Sequence, residues 1–488
     1  MHDLHNELAQ YTAGESCFKY EIGKVISQGA RHFSFVKDNF DFTEDFNSLT
    51  TAVECLRTFL PLSFSTPASN STDIIDDEII EKLLGAQKQL RVLSLYGYNI
   101  FKLSCELSKL IHLRSLDFSF NPITTLPDST GVLYNLEILL LSHCTKLIEL
   151  PSSLGKLINL DYLDLNETKS LKWMPPEFSK LEKLQTLTTF VVSNNDKGSK
   201  ITELGSLPLL VKLHIVECSK LEFLVNETAG YPNLELLEII SGCDSLTHFK
   251  LKSFNKLKYL FIKDCKNLEN IEVPEDANWN LQFIEDLGIF DCPKLNLISE
   301  AGLPAPSLKS LVISNCNNLE SIPNQMYRLT SLEELSIFCC SKLQSFPNGG
   351  LPPNLQSLLI EKCDLLTPQH AWGLNNMLSL TELRIIGGCK NLKLFPEEGL
   401  LPASLTSLQI CEFPVLETLN LNGLLLNSSL EKMEINTCAS LRSMSAGSLP
   451  STLSSLKITG CSLMTERCQV GGEDWSKIRH IQNKVING

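Results

Sequence analysis

Hydrophobic residues recur along the centre of the chain in the order L-x-x-L-x-I-x-x-C. Leu308, Leu311, Ile313 and Cys316 form one copy, and the next copy begins at Leu332, 24 residues later. The alternation within L-x-I predicts a short strand whose apolar side chains share one face, while the residues between them share the other. Such a strand cannot bury its apolar edge alone, so we expect successive copies to stack.

The same pattern recurs along most of the chain. Regular copies begin at Leu90, Leu113, Leu136, Leu160, Leu184, Leu210, Leu234, Leu257, Ile284, Leu308, Leu332, Leu355, Leu380, Leu405, Leu430 and Leu453. This period, with Asn or Cys after the strand, is typical of a leucine-rich repeat. The predicted fold is therefore an α/β leucine-rich-repeat solenoid, a horseshoe with a concave parallel β-sheet. Its long open surface favours binding rather than catalysis.

The two ends of the chain depart from this pattern. Residues 1–25 begin with a short amphipathic segment that predicts an N-terminal helix. Residues 26–89 contain two weak strand patterns and a polar loop, which predict degenerate capping repeats. The repeats then occupy 90–461, with an insertion near 188–205, and 462–488 form a predicted C-terminal cap.

Cysteine is the most regular residue after leucine. The chain has 17 cysteines, an odd number, and most follow a predicted strand at one repeat position. We expect these thiols to point inward and to stay free, because a reduced intracellular protein explains their count better than disulfides do. Metal binding is disfavoured because the sequence has no C-x-x-C pair. The repeat-position cysteines are Cys144, Cys218, Cys243, Cys265, Cys292, Cys316, Cys340, Cys363, Cys389, Cys438 and Cys461.

Charge and motifs exclude several functions. The net charge of −14 argues against nucleic-acid binding, which needs clustered Lys and Arg. No uncharged apolar run reaches about 18 residues, so no membrane span is expected. Neither a phosphate-binding G-x-x-x-x-G-K-[ST] nor a recurring histidine partner is present, so we expect no enzyme activity. Four N-x-S/T sequons leave a glycosylated ectodomain open as an alternative: Asn70, Asn166, Asn226 and Asn427.

Three aromatic residues on the strand positions between inward leucines are candidate partner-binding residues. Phe290 and Phe338 each follow an inward Ile two repeats apart, so they should share a column, with Ser314 between them. Phe261 precedes its inward Ile262 and should lie one column over. Such aromatics are either chance surface residues or an interface for a protein partner.

Several segments together resemble one known family. The opening Met1-His2-Asp3-Leu4 resembles the M-H-D motif of plant intracellular nucleotide-binding, leucine-rich-repeat disease resistance proteins of the coiled-coil class. The chain would be the C-terminal leucine-rich-repeat portion of such a protein. Further similar stretches are Arg31-His32-Phe33-Ser34, Cys55 to Leu62, Thr189 to Leu207, and the tail from Thr465 through Gly472-Glu473-Asp474-Trp475 to Ile481.

The resemblance implies a function in defence. Residues 1–25 would be the remnant of a winged-helix subdomain in which His2, with Asp3 beside it, contacts the phosphates of ADP. Without the nucleotide-binding module, we expect no cofactor in this chain; ADP or ATP would bind only with that module present. The implied partners are that module in cis and a pathogen effector or guarded host protein, in the cytoplasm. Alternatives are a cell-surface receptor ectodomain and a substrate-recruiting adaptor for ubiquitin ligation.

Overall fold

The computed structural model describes residues 14–487 except 38–39, 41–43, 54, 63–74, 76, 192–203, 205–206, 217, 219–220, 222–229, 275–278, 300–301, 348 and 426–428. The predicted N-terminal helix, most of the polar loop before residue 77 and most of the insertion near 188–205 lie outside the described residues. Among the residues described, no helix combines the length and apolarity needed to span a membrane.

Short strands dominate the secondary structure. In chain order they are β1 (Cys17–Lys19), β2 (His32–Val36), β3 (Thr58–Leu62), β4 (Val92–Ser94), β5 (Ser115–Asp117), β6 (Ile138–Leu140), β7 (Tyr162–Asp164), β8 (Thr186–Phe190), β9 (Lys212–Val216), β10 (Leu236–Ile240), β11 (His248–Lys250), β12 (Tyr259–Lys263), β13 (Asn270–Glu272), β14 (Asp286–Phe290), β15 (Leu297–Ile298), β16 (Ser310–Ser314), β17 (Glu334–Phe338), β18 (Ser357–Glu361), β19 (Glu382–Ile386), β20 (Leu394–Phe395), β21 (Ser407–Cys411), β22 (Thr418–Leu419), β23 (Lys432–Asn436), β24 (Ser443–Met444), β25 (Ser455–Thr459) and β26 (Asn483–Asn487).

Helices are few and short. In the described part of the chain, the α-helices are α1 (Glu44–Ala52), α2 (Asp77–Ala86), α3 (Ser462–Arg467) and α4 (Trp475–Ile478). Single 3-10 turns occur at Gly14–Ser16, Cys105–Lys109, Asp128–Val132, Ser152–Lys156, Phe178–Lys180, Leu251–Ser253, Met326–Arg328, His370–Trp372, Leu374–Asn376 and Asn422–Leu424.

The chain divides into two compact units, one of residues 1–220 and 225–234 and one of 221–224 and 235–488. In the first unit, β1 to β9 pair in parallel in chain order. In the second, the parallel order is β10, β12, β14, β16, β17, β18, β19, β21, β23, β25 and β26.

The predicted strand phase is confirmed. In β17, Leu335 and Ile337 are fully buried, while Ser336 between them is half-buried on the other face. The same two inward positions are buried in every strand of this ladder from β10 to β25, because the partners are aligned in register; the last strand, β26, buries neither. Stacked repeats of parallel strands with inward leucines make each unit a leucine-rich-repeat solenoid, as the periodicity predicts.

Both ends of the chain add strands that the repeat pattern does not show. β1 pairs with β2, so the parallel sheet starts within the predicted 1–25 segment. At the other end, β26 pairs in register with β25, and α3 and α4 lie between them in sequence. Within this cap, Asp474 is 1% exposed and binds both Arg467 and Lys477 at 2.7 Å.

Two short parallel sheets lie apart from the main ladder of the second unit. One comprises β11, β13 and β15, and the other comprises β20, β22 and β24. Each joins the return segments of three successive repeats, so these repeats are hydrogen-bonded to their neighbours on two sides.

Candidate functional site

Each repeat of the second unit leaves its strand through the same turn. Asp291 and Asn315, which directly follow β14 and β16, have φ values of 54° and 55°. Their backbone N–H groups donate to the carbonyls of Ser314 and Phe338 at 2.9 Å, so the inter-strand ladder continues one residue beyond each strand. This turn directs the next side chain, a cysteine, into the interior.

The repeat-position cysteines are buried as predicted. Cys292 and Cys340 donate from Sγ to the carbonyls of Phe290 and Phe338 at 3.3 Å. Burial raises the pKa of Cys316 to about 12, so this thiol stays protonated at neutral pH. All 17 cysteines lie among the described residues, and none forms a disulfide there. The repeat-position thiols pack the turn and are shielded from solvent.

The three candidate phenylalanines lie on the open face of the second unit, defined here as the face of strand residues opposite the buried ones. Phe290 aligns with Ser314 on β16, and Ser314 aligns with Phe338 on β17. The predicted shared column is therefore confirmed. Phe261 aligns with Gly288, one column over, also as predicted. Side chains of all three phenylalanines are half-buried.

Gly288 brings two of these rings together. A Cβ atom placed on Gly288 would lie 2.5 Å from Cε2 of Phe290 and 2.8 Å from Cδ1 of Phe261. Both rings thus occupy the space that a side chain would take at this strand position. Gly288 does not stand out in the repeat pattern, although a glycine inside a strand often marks the close approach of other groups.

Two aliphatic residues extend the aromatic surface. Val312 and Leu359 occupy the column of Phe261, on β16 and β18, and both are half-buried. We call Phe261, Phe290, Val312, Phe338 and Leu359 together the phenylalanine patch.

Charged residues lie at its margins. Lys263 aligns with Phe290 from one side and Glu361 with Phe338 from the other. An apolar centre with a charged rim is the usual composition of a protein–protein interface.

The described residues contain no group of three or more His, Cys, Asp or Glu side chains that could hold a metal ion. His2 and Asp3, the cofactor-binding candidates, lie outside the described residues, so their role stays a prediction.

Comparison with known proteins agrees with the fold. A family profile described as "Leucine-rich repeat region" matches residues 71–229. The Arabidopsis thaliana protein "Putative disease resistance protein At3g14460" is 38% identical over 288 residues, covering 58% of this chain and 20% of its own length. "Putative disease resistance RPP13-like protein 1" of the same plant is 49% identical over 224 residues, covering 45% of this chain and 21% of its own.

A solved structure, the "LRR protein LIC12759" of Leptospira interrogans, is 20% identical with a TM-score of 0.48, and the match covers 86% of each chain. The chain spans about one fifth of the length of the two curated relatives. It therefore contains a leucine-rich-repeat region similar to parts of plant disease resistance proteins.

Proposed function

We propose that this chain is the recognition region of a plant intracellular immune receptor of the coiled-coil, nucleotide-binding class. It binds proteins and catalyses no reaction. The printed names of the two Arabidopsis relatives support a role in defence. The solenoid supports binding, since stacked repeats expose a long sheet face on which successive residues can be varied without disturbing the buried leucines.

The phenylalanine patch is the observation on which the binding proposal rests. Phe290 and Phe338 are half-buried on the open face, although their strands already bury two apolar residues each on the other face. The repeat does not need further apolar residues there. Aromatic side chains that a partner buries often contribute about 2 kcal/mol or more to binding. A partner that covers these two rings would therefore bury the apolar surface that folding leaves exposed.

Two occupants fit this surface. The nucleotide-binding module of the same receptor would hold the receptor at rest, while a pathogen effector or a modified host protein would bind when it is present. In either case the partner acts by binding one state of the receptor more tightly than the other. It shifts the equilibrium between the resting and active states only to the extent that its two affinities differ.

The test uses a full-length receptor built around this chain. Phe290→Ser and Phe338→Ser are introduced together, and cell death in leaf tissue is measured with and without the recognised pathogen. Activity without the pathogen indicates that the patch binds the internal module. Loss of the response with normal resting behaviour indicates an external partner. A folded double variant that behaves like the wild type in both states contradicts the proposal.

The matched control removes two apolar side chains from outside the open face. Tyr134 and Ile158 lie in turns of the first unit and are 50% and 57% exposed. Tyr134→Ser with Ile158→Ser removes two side chains that are more exposed than Phe290 and Phe338, and we expect both resting and elicited responses to remain normal.

One observation favours the alternative of a cell-surface ectodomain. The sequon residue Asn166 is exposed, as a glycosylated asparagine must be. The free thiols support the cytoplasmic location that we propose. Intact mass of the protein purified from plant cells, before and after treatment with a glycosidase, separates the two. A mass shift would favour the ectodomain.

A further inference from the structure

Three aromatic side chains stack just beyond the ends of β4, β5 and β6 in the first unit. The ring centroids of Tyr96 and Phe120 are 4.9 Å apart. Those of Phe120 and His143 are 4.1 Å apart, with the ring planes within 8° of parallel. All three side chains are half-buried. We call them the aromatic stack.

Folding does not explain why aromatic residues occupy these turns. Phe120 and His143 have φ values of 59° and 58°, a conformation that favours glycine and asparagine over bulky residues. The equivalent turns of other repeats have non-aromatic residues such as Glu167, Lys362 and Thr437, with φ values of 57°, 51° and 55°. The turn therefore does not require aromatic side chains, and the rings remain only partly buried, so their presence favours a function beyond packing.

Two half-buried carboxylates lie at the ends of strands that neighbour the stack. Asp117 on β5 and Asp164 on β7 align with Leu140 from its two sides. Asp117 accepts hydrogen bonds from Ser94 Oγ and from the backbone N–H of Ser119, each at 2.9 Å, which fixes its orientation. Asp164 is held in the same way by Thr188 Oγ1 at 2.8 Å.

These carboxylates have no cationic partner. Among the described residues, no Lys or Arg forms a salt bridge with Asp117 or Asp164, and β4 to β7 contain neither residue type. Burial raises the pKa of Tyr96, and the negative charge of Asp117 raises it further. Asp117 therefore places negative charge beside the stack.

We propose that this acidic and aromatic face binds a protein segment that presents an arginine side chain. A guanidinium group is planar, so it can lie flat on the aromatic stack while its N–H groups donate to a carboxylate in a two-point contact. The ammonium group of lysine would pair with the carboxylate charge, but it has no planar group to lie on the rings. This surface is separate in character from the apolar phenylalanine patch, which belongs to the second unit.

The first experiment uses two synthetic peptide libraries of random sequence on the intact chain. One has arginine fixed at the central position and the other has citrulline, its neutral isostere. We expect the arginine library to be retained about tenfold better and to lose this advantage at high salt. Equal retention of the two libraries, including no retention of either, overturns the proposal.

The second experiment measures the affinity of sequenced arginine peptides for variants. Asp117→Asn with Asp164→Asn removes the charges, and Phe120→Asn removes the central ring while placing a residue that the left-handed turn favours. Both should weaken binding about tenfold. Tyr134→Asn, an aromatic loss in a turn of the same unit, should leave affinity unchanged.

Phe120→Asn keeps the test decisive if the double aspartate variant does not fold. Peptides that bind Phe120→Asn as tightly as the wild type, or that lose affinity for Tyr134→Asn instead, show that the arginine is bound elsewhere and overturn the assignment.

Discussion

The rings of Phe261 and Phe290 converge on one point of the open face, the space above Gly288. A Cβ atom there would lie 2.8 Å and 2.5 Å from atoms of the two rings. Both rings sit at the ends of rotatable side chains, so they can move aside. The position of the rings, rather than the fold, depends on this glycine.

Gly288→Ala should therefore change the shape of the open face while leaving the stability of the fold nearly unchanged. We expect the free energy of unfolding to change by less than about 1 kcal/mol, because the lower entropy of the unfolded chain offsets the displaced rings. The response of the receptor should change in the same direction as in the Phe290 and Phe338 double variant. Urea unfolding and the leaf assay measure the two effects, with Ser336→Ala in the same column as the control. Unchanged responses would show that ring placement is unimportant.

Leu335 and Ser336 test the strand phase. Leu335→Ala removes a fully buried side chain and should reduce local stability by about 2–5 kcal/mol. Ser336→Ala alters the open face and should stay within about 0.5 kcal/mol. Hydrogen exchange of the amides in β16 to β18 provides the local measurement. Similar losses for both variants would contradict the observed alternation.

Thiol reactivity should follow position in the repeat. Cys17, Cys55 and Cys105 are exposed and should react quickly with a maleimide in the native protein. Cys339 is half-buried, and burial raises its pKa, so its reaction should be slower. The buried repeat-position cysteines should react only after unfolding. Denaturation without reductant should then release all 17 thiols; a smaller number means that disulfides form in the cell.

The C-terminal cap should weaken in acid. Burial raises the pKa of Asp474, but hydrogen bonds from Lys477 and Arg467 outweigh burial and hold the pKa below its usual value. A lowered carboxyl pKa stabilises the folded state above the pKa of the unfolded chain, about 3.9, and the benefit is lost as pH falls through the folded value. Hydrogen exchange in β26, followed from neutral pH to well below about pH 3.9, measures the loss.

Asp474→Asn provides the control for that pH dependence. The amide cannot ionise, so cap stability should fall by about 1.5–3 kcal/mol at neutral pH and lose its dependence on acid. If the variant retains the acid transition of the wild type, another group is responsible.

The isolated chain should bind neither ADP nor ATP. Its sequence lacks a phosphate-binding glycine loop, and His2 alone offers one contact to a phosphate. Isothermal calorimetry with both nucleotides is the measurement. Micromolar binding by the wild type, lost in His2→Ala, would show that the M-H-D segment suffices for a nucleotide site.

The repeat pattern was sufficient to predict which residues are buried and which share a column, because a period of two along a strand and a fixed register between strands determine both. Leu335, Cys316 and the column of Phe290 and Phe338 follow from these two rules.

Features outside that periodicity were missed. The helix α2 buries Ile80, Leu83 and Leu84 with helical spacing, but its ten residues lie in the segment 26–89, for which the repeat pattern predicts only degenerate capping repeats. Phe120 was missed for another reason. It follows the strand in a left-handed turn, where the alternation of faces no longer applies, so its stacking on His143 could not be predicted.

The two short additional sheets of the second unit have a consequence for motion. Repeats joined by β11, β13 and β15, or by β20, β22 and β24, must break two sets of inter-repeat hydrogen bonds to separate. The repeats that begin with β16, β17 and β18 lie between these stretches, and in their described part they have only the main ladder. Local opening should therefore concentrate there. Ser314, Phe338 and Leu359 belong to these repeats, so the surface can adjust its curvature to a partner while the repeats on either side hold their spacing.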